Sequence, residues 1–200
     1  MTLFSSLKIG VLALQGAFAK HESAVLALGA NAVEVRTPEE LQKCDGLIIP
    51  GGESSAIFKQ MQFIKLIDPL LVFASTKPIF GTCAGMILMS KEILGGPPTV
   101  PLGLVDIIVE RNAYGRQVDS FTTEIETNLA NKKKNIPVFF IRAPRVKLYG
   151  PDVTVLAKFM DEPVLMQQGH HLVASFHSEL TTDVSIHEYF LSLVLASKKK

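Results

Sequence analysis

The sequence holds little that would tie it to a membrane, a nucleic acid or a bound metal. Its 200 residues include two cysteines, Cys44 and Cys83. That is enough for at most one bridge and too few for a cysteine-rich zinc site. A chain of this length can bury a core without such a staple, so a reducing, cytoplasmic setting is expected. Excess charge is missing too. Twenty basic residues oppose nineteen acidic ones, for a formal net charge of +1, which gives no reason to expect a nucleic-acid or anionic-membrane surface. The basic clusters Lys132-Lys133-Lys134 and Lys198-Lys199-Lys200 read as a solvated loop and tail. No apolar run reaches membrane length. The one at residues 9–14 is interrupted by Gln15 and Gly16 and lacks the charged flank of a signal peptide. There is no phosphate-cradling loop, dinucleotide fingerprint or metal-ligand cluster, so neither a cofactor nor a metal is expected.

What is present is the composition of an ordinary globular protein, 48% hydrophobic and 20% charged. Internal repeats and low-complexity linkers are lacking, and a single domain over residues 1–200 is expected, with its core at about 8–197. Residues 8–14 (KIGVLAL) form a continuous apolar run suited to a strand buried on both faces. Helical spacing follows over 17–28, with Gly29 as a stop. Residues 31–36 read as a strand. Thr37-Pro38-Glu39-Glu40 is a helix start with a capping box. Residues 46–50 (GLIIP) form a strand closed by Gly51-Gly52. Residues 54–74 are helical, with a break expected near Pro69. A short strand at 78–80 leads into Gly81-Thr82-Cys83-Ala84-Gly85, and 86–93 has a helical pattern. This alternation predicts a mostly parallel α/β sheet flanked by helices. The second half changes character. Strand-like segments at 104–110, 138–142, 153–159, 164–166 and 172–176 have little helix between them, which predicts an antiparallel extension. A last helix is expected at about 185–196.

Cys83 sits in Gly81-x-Cys83-x-Gly85 between an apolar strand and a helix, the sequence form of a nucleophile elbow. A reactive side chain on so sharp a turn needs small neighbours, and a helix N-terminus aimed at the sulfur favours the thiolate. A buried cysteine is more often a small hydrophobe, and Cys44, without an elbow, is read that way. His177 and Glu179 follow the strand-like segment 172–176. In an extended chain, residues two apart share a side, so a strand end can offer an imidazole with a carboxylate beside it. His21, His170, His171 and His187 lack that setting and are read as structural or solvated. The turn Gly51-Gly52 would place an N–H beside that of Ala84 to hold an oxyanion. The plainer alternative is a tight turn, with Glu53 and Ser54 capping the next helix.

Six segments together resemble the class I, triad-type glutamine amidotransferases. More narrowly, they are similar to the glutaminase subunits of pyridoxal 5′-phosphate synthase. They are Gly10-Val11-Leu12-Ala13-Leu14-Gln15-Gly16, Gly46-Leu47-Ile48-Ile49-Pro50-Gly51-Gly52-Glu53-Ser54, Gly81-Thr82-Cys83-Ala84-Gly85-Met86, Arg111-Asn112-Ala113-Tyr114-Gly115-Arg116-Gln117, Phe140-Ile141-Arg142-Ala143-Pro144 and Ser175-Phe176-His177-Ser178-Glu179-Leu180-Thr181. The resemblance implies catalysis by Cys83, His177 and Glu179. It implies an L-glutamine site lined by Gly51, Gly52, Glu53, Arg111, Ile141 and Arg142, and a hetero-oligomer with a barrel-shaped synthase subunit that receives the ammonia. A guanidinium suits the free carboxylate of glutamine, whereas the residues alone favour surface salt bridges for Arg111 and Arg142. Ser178 departs from the proline usual after the histidine, Ser55 from a usual threonine, and Lys20 from an acidic residue or arginine. Two alternatives stand beside a glutaminase for this pathway: a cysteine hydrolase or amidase serving another one, and a regulatory subunit that keeps the fold without the activity.

Overall fold

The computed structural model describes residues 3–95, 99–111 and 120–199. In chain order the elements are β1 (Lys8–Leu12), α1 (Phe18–Ala27), β2 (Asn31–Val35), α2 (Pro38–Gln42), β3 (Gly46–Ile49), α3 (Ser54–Phe63), α4 (Ile67–Ala74), β4 (Ile79–Thr82), α5 (Ala84–Met89) and β5 (Ser90–Leu94). They continue with β6 (Val105–Glu110), β7 (Phe121–Leu129), β8 (Lys132–Phe140), β9 (Arg145–Tyr149), β10 (Thr154–Phe159), β11 (Glu162–Gln168), β12 (His171–Ala174), a 3-10 turn (Ser178–Leu180) and α6 (Ser185–Ser197).

Nine strands form one sheet in the order β2-β1-β3-β4-β12-β11-β10-β7-β8. The first five are parallel and the last four extend the sheet antiparallel. The expected architecture, parallel core and antiparallel extension, is what forms. β3, β4 and β12 are buried at every position, as continuous apolar runs in the middle of a covered sheet should be. Their side chains alternate between two layers. Leu47 and Ile49 pack with α2 to α5 on one face. Ile48, with Phe80 of β4, packs against α1 and α6 on the other. The register aligns Ile49 with Gly81 and Ala174 with Thr82. The carboxyl ends of three neighbouring parallel strands therefore finish together, and each leads directly into one of the segments marked in the sequence.

Local signals hold where they are strong. Thr37 caps α2 with the full capping box, and Gly29, at φ +80°, ends α1. Four expectations need correction. The break between α3 and α4 falls at residues 64–66, where Lys65 has φ +55°, not at Pro69. That proline lies in the first turn of α4, where a missing N–H costs nothing. The helix expected over 86–93 stops at Met89. Ser90 turns extended, its hydroxyl donates to the Ile87 and Glu92 carbonyls, and the chain enters a separate three-stranded sheet, β5-β6-β9. Residues 105–110, expected in the antiparallel extension, belong to that sheet instead, and with the unforeseen β9 it packs Val105, Ile107, Val109 and Val146 under the first core layer. Finally, Lys132-Lys133-Lys134 is not a loop but the start of β8, paired with the unforeseen β7. The three lysines of this outermost strand are exposed, a charged edge of the kind that discourages pairing with another sheet. Lys198 of the other cluster pairs with Asp45, and Lys200 lies outside the described residues. Among the described residues, no helix is long and apolar enough to cross a membrane.

Candidate active site

Cys83 follows β4 in a conformation that few residues other than glycine adopt, φ +48° and ψ −102°. Such a backbone costs on the order of 1–3 kcal/mol and persists only where its surroundings impose it. Here the Cys83 N–H donates to the Ala174 carbonyl at 2.8 Å, which ties the turn to β12. A Cβ on Gly81 would lie 2.6 Å from Met89 Sδ and 2.7 Å from the Gly85 carbonyl carbon, and one on Gly85 would overlap the Ile49 carbonyl oxygen. Both glycines are thus required by close approach. α5 then carries Ala84 at its first position, where a helix N–H has no intrahelical acceptor.

His177 is reached from β12. Its N–H donates to the Phe139 carbonyl at 2.7 Å, which joins it to β8. Glu179 is not on an extended strand end as the spacing implied. It lies in the 3-10 turn, and the turn brings its Oε1 to 2.7 Å from His177 Nδ1. Both residues are buried. With Nδ1–H donating to the carboxylate, Nε2 is the nitrogen left for the thiol, and Cys83 and His177 line one cavity and interact electrostatically. Burial disfavours the charged ring, but the hydrogen bonds and charges of Cys83 and Glu179 outweigh it and push the His177 pKa up to about 10. Burial acts on Glu179 in the opposite sense, toward the neutral acid. His21 and His177 nevertheless hold its pKa below the usual carboxylate value. The three side chains can thus share a proton between sulfur and imidazole over a fixed anion.

A cavity of about 240 Å³ opens on the sulfur, lined by Gly52, Glu53, Ser54, Cys83, Ile87, Arg111, Ile141, Arg142 and His177. Cys83 Sγ lies 3.9 Å from the Ile141 carbonyl oxygen, and Arg142 beside it has φ +42°. Arg111, at the end of β6, is buried with its guanidinium at the cavity. Burial pulls its pKa down and the Glu53 carboxylate raises it. Glu53 also caps α3, accepting from Ser55 N, Ser55 Oγ and Ala56 N. The Ser55 hydroxyl is the main cause of its lowered pKa.

Three residues marked in the sequence do not line the cavity. Glu179 stands behind His177, Ala84 beneath Cys83, and Gly51 against the imidazole. A Cβ on Gly51 would overlap His177 Cε1, which explains why the turn needs glycine there. Residues 112–117, the rest of the Arg-Asn-x-x-Gly-Arg-Gln segment, lie outside the described residues. Two lining residues were missed, Ser54 and Ile87. The second could have been found, since it is four residues after Cys83 and so on the same helical face. His21 and His187 read as structural or solvated in the sequence, yet His21 lies directly behind Glu179 and His187 behind His21, and nothing in their local sequence says so.

Known proteins resemble this chain over nearly its whole length. The model of the SNO glutamine amidotransferase family matches residues 11–196. The "Pyridoxal 5'-phosphate synthase subunit PdxT" of Thermosipho africanus is 52% identical over 189 residues, 94% of this chain and 99% of that protein. The protein of the same name from Desulforamulus reducens is 49% identical over 188 residues, 93% and 98% of the two chains. A crystal structure described as a glutamine amidotransferase superposes with a TM-score of 0.87 at 44% identity, covering 93% of this chain and 98% of that one. A putative GMP synthase subunit from Thermoplasma acidophilum, at 16% identity and a TM-score of 0.70, shares the fold. The chain belongs to the SNO glutamine amidotransferase family.

Proposed function

We propose that this chain hydrolyses L-glutamine to L-glutamate and ammonia, and that it hands the ammonia to a pyridoxal 5′-phosphate synthase subunit in the cytoplasm. The observation that carries this reading is that Cys83 and His177 line one cavity with two arginines and a glutamate, while Glu179 holds the imidazole from behind. The Cys83 thiolate attacks the side-chain amide carbon of glutamine. The oxyanion that forms is held by N–H groups at Gly52 and Ala84. Imidazolium His177 protonates the leaving nitrogen, ammonia departs, and a γ-glutamyl thioester remains. His177 then takes a proton from water, which attacks the thioester and releases glutamate. Glu179 keeps the ring in the Nδ1–H tautomer throughout. Arg111 and Arg142 offer cations to the α-carboxylate of the substrate, and Glu53 offers an anion to its ammonium. Two free thiols in an otherwise unstapled chain suit a reducing compartment.

The kinship with subunits named for pyridoxal 5′-phosphate synthase supports the partner. Ser178 does not favour the regulatory alternative, because the His177–Glu179 contact is intact at 2.7 Å with serine in place. The test is ammonia release from glutamine, with and without the synthase subunit, by the wild type and by Cys83→Ala. Loss of release in the variant is expected. Unchanged release would remove Cys83 from the reaction, and a preference for asparagine would remove glutamine as the substrate.

A further inference from the structure

Behind the triad lie three polar side chains that do not touch the cavity. His21 of α1, Thr82 of β4 and His187 of α6 are all essentially inaccessible, at 0%, 0% and 1% exposure. His21 Nδ1 is 2.9 Å from His187 Nε2. On its other side, His21 Nε2 is 3.2 Å from Thr82 Oγ1 and 3.4 Å from Glu179 Oε2. That carboxylate oxygen makes no hydrogen bond among the described residues, and the His21 imidazole at 3.4 Å is the polar group that faces it. Burying a carboxylate with one oxygen unserved is costly, and a molecule that uses this carboxylate has reason to place a donor there.

The proton positions follow from the neighbours. An Nε2 lone pair on His21 would face an anion, so Nε2 carries the hydrogen, donates it to the Thr82 hydroxyl and lies 3.4 Å from Glu179 Oε2 as an electrostatic contact. Nδ1 is then an acceptor, and His187 must donate from Nε2. His187 Nδ1, which has no hydrogen-bond partner among the described residues, is left as an empty lone pair, which is cheaper to bury than an unserved N–H. We propose that His187 and His21 form a neutral two-imidazole relay that fixes Glu179 from behind. They would act as positioning residues in a chain His187–His21–Glu179–His177–Cys83. The inference rests on the triad reading above and adds residues that no local motif marks.

The ring stays uncharged. Burial is the main cause pulling the His21 pKa down to about 4, opposed by Glu179 and aided by the His177 charge. Burial and His21 pull His187 to about 3. The groups facing His21 are Glu179 and His177 from the segment after β12, Thr82 and the Phe80 ring from β4, and His187 from α6. A second cation beside His177 would compete with it for Glu179, and neutrality avoids that. The relay therefore lends Glu179 an N–H dipole without taking its charge.

The test uses the chain assembled with its synthase subunit. His21→Phe keeps the ring and removes both nitrogens. Turnover is expected to fall about tenfold, roughly the worth of one polar contact to a charged group. KM for glutamine should be unchanged, because His21 does not reach the cavity. The acid limb of the pH–rate profile should move up by about one unit, because an unserved Glu179 takes up a proton more readily. His187→Phe should shift the limb less in the same direction, and His187→Gln, whose amide N–H can donate to His21 Nδ1, should restore it. A merely structural role would lower the active fraction and leave the limb in place, and that result overturns the proposal. Should His21→Phe not fold, nitrogen NMR of the wild-type histidines decides. His21 and His187 are expected as neutral Nε2–H tautomers from pH 5.5 to 9, whereas a charged His21 or an Nδ1–H tautomer overturns the relay. That measurement does not depend on activity, so it separates failure of the relay from failure of the triad, which Cys83→Ala reports.

Discussion

Gly51→Ala is the sharpest probe of how closely the site is built. Gly51 is not among the positive-φ residues, so alanine meets no backbone penalty and the whole effect is steric. The added methyl would overlap His177 Cε1 and lie 3.0 Å from Nδ1 and 3.2 Å from Nε2. Carbon–carbon contacts settle at about 3.5–4.0 Å, so the ring must retreat by roughly 1 Å. It cannot do so freely. Nδ1 is held at 2.7 Å by Glu179, and the main chain of His177 is pinned to Phe139. The imidazole therefore tips away from Cys83. A displacement of about 1 Å costs roughly 100-fold in rate, and overpacking of this kind costs about 1–3 kcal/mol, or roughly 2–4 °C in Tm per kcal/mol for a chain of this size. The assay is glutamine-dependent ammonia release by the assembled complex, with denaturant unfolding alongside. Gly169→Ala is the control. Gly169 has φ +57° and open space around its added Cβ, and it sits in the turn between β11 and β12 at the opposite end of the strand from His177. It should lose about 1–2 kcal/mol of stability and no activity. A folded Gly51→Ala protein with more than half of wild-type turnover would refute the reasoning.

Ser178→Pro should stabilise the chain by about 1 kcal/mol without loss of turnover, measured by chemical denaturation. The Ser178 hydroxyl is buried without a hydrogen-bond partner among the described residues. The residue opens a 3-10 turn whose φ suits proline, and His177 before it is already extended, as a residue preceding proline should be. Lower stability would show that the turn needs the serine. The stability difference between the wild type and His177→Gln should depend on pH. The folded pKa is raised, to about 10, so the contribution is complete below the unfolded value of about 6.5 and is lost as pH rises through about 10. Urea midpoints at pH 6 and pH 10 should show the gap closing, and a gap that widens would contradict the ion pairing.

Much of this protein was legible in its residues, because the local chemistry admitted few alternatives. Apolar runs such as GLII can only be strands covered on both faces, and Thr37 with Glu40 spells out its own cap. A cysteine between Gly81 and Gly85 is an elbow because any larger neighbour would collide with Ile49 or Met89. What misled the reading were segments whose fate depends on a distant partner. Lys132-Lys133-Lys134 is strand only because β7 lies beside it. Ser90–Leu94 leaves its helix only because β6 offers a ladder. The sequence by itself determined the strands of the parallel core, the turns that end them and the candidates for the reacting side chains, since these follow from sterics and hydrogen bonding within a few residues. Only the tertiary structure decided that Glu179 meets His177 through a 3-10 turn, and that Arg111 reaches the cavity. It alone placed His21 and His187, remote from each other in the chain, behind the same carboxylate. Those contacts arise where the sheet order brings β4 and β12 together under α1 and α6, and no local spacing records which elements will pack side by side.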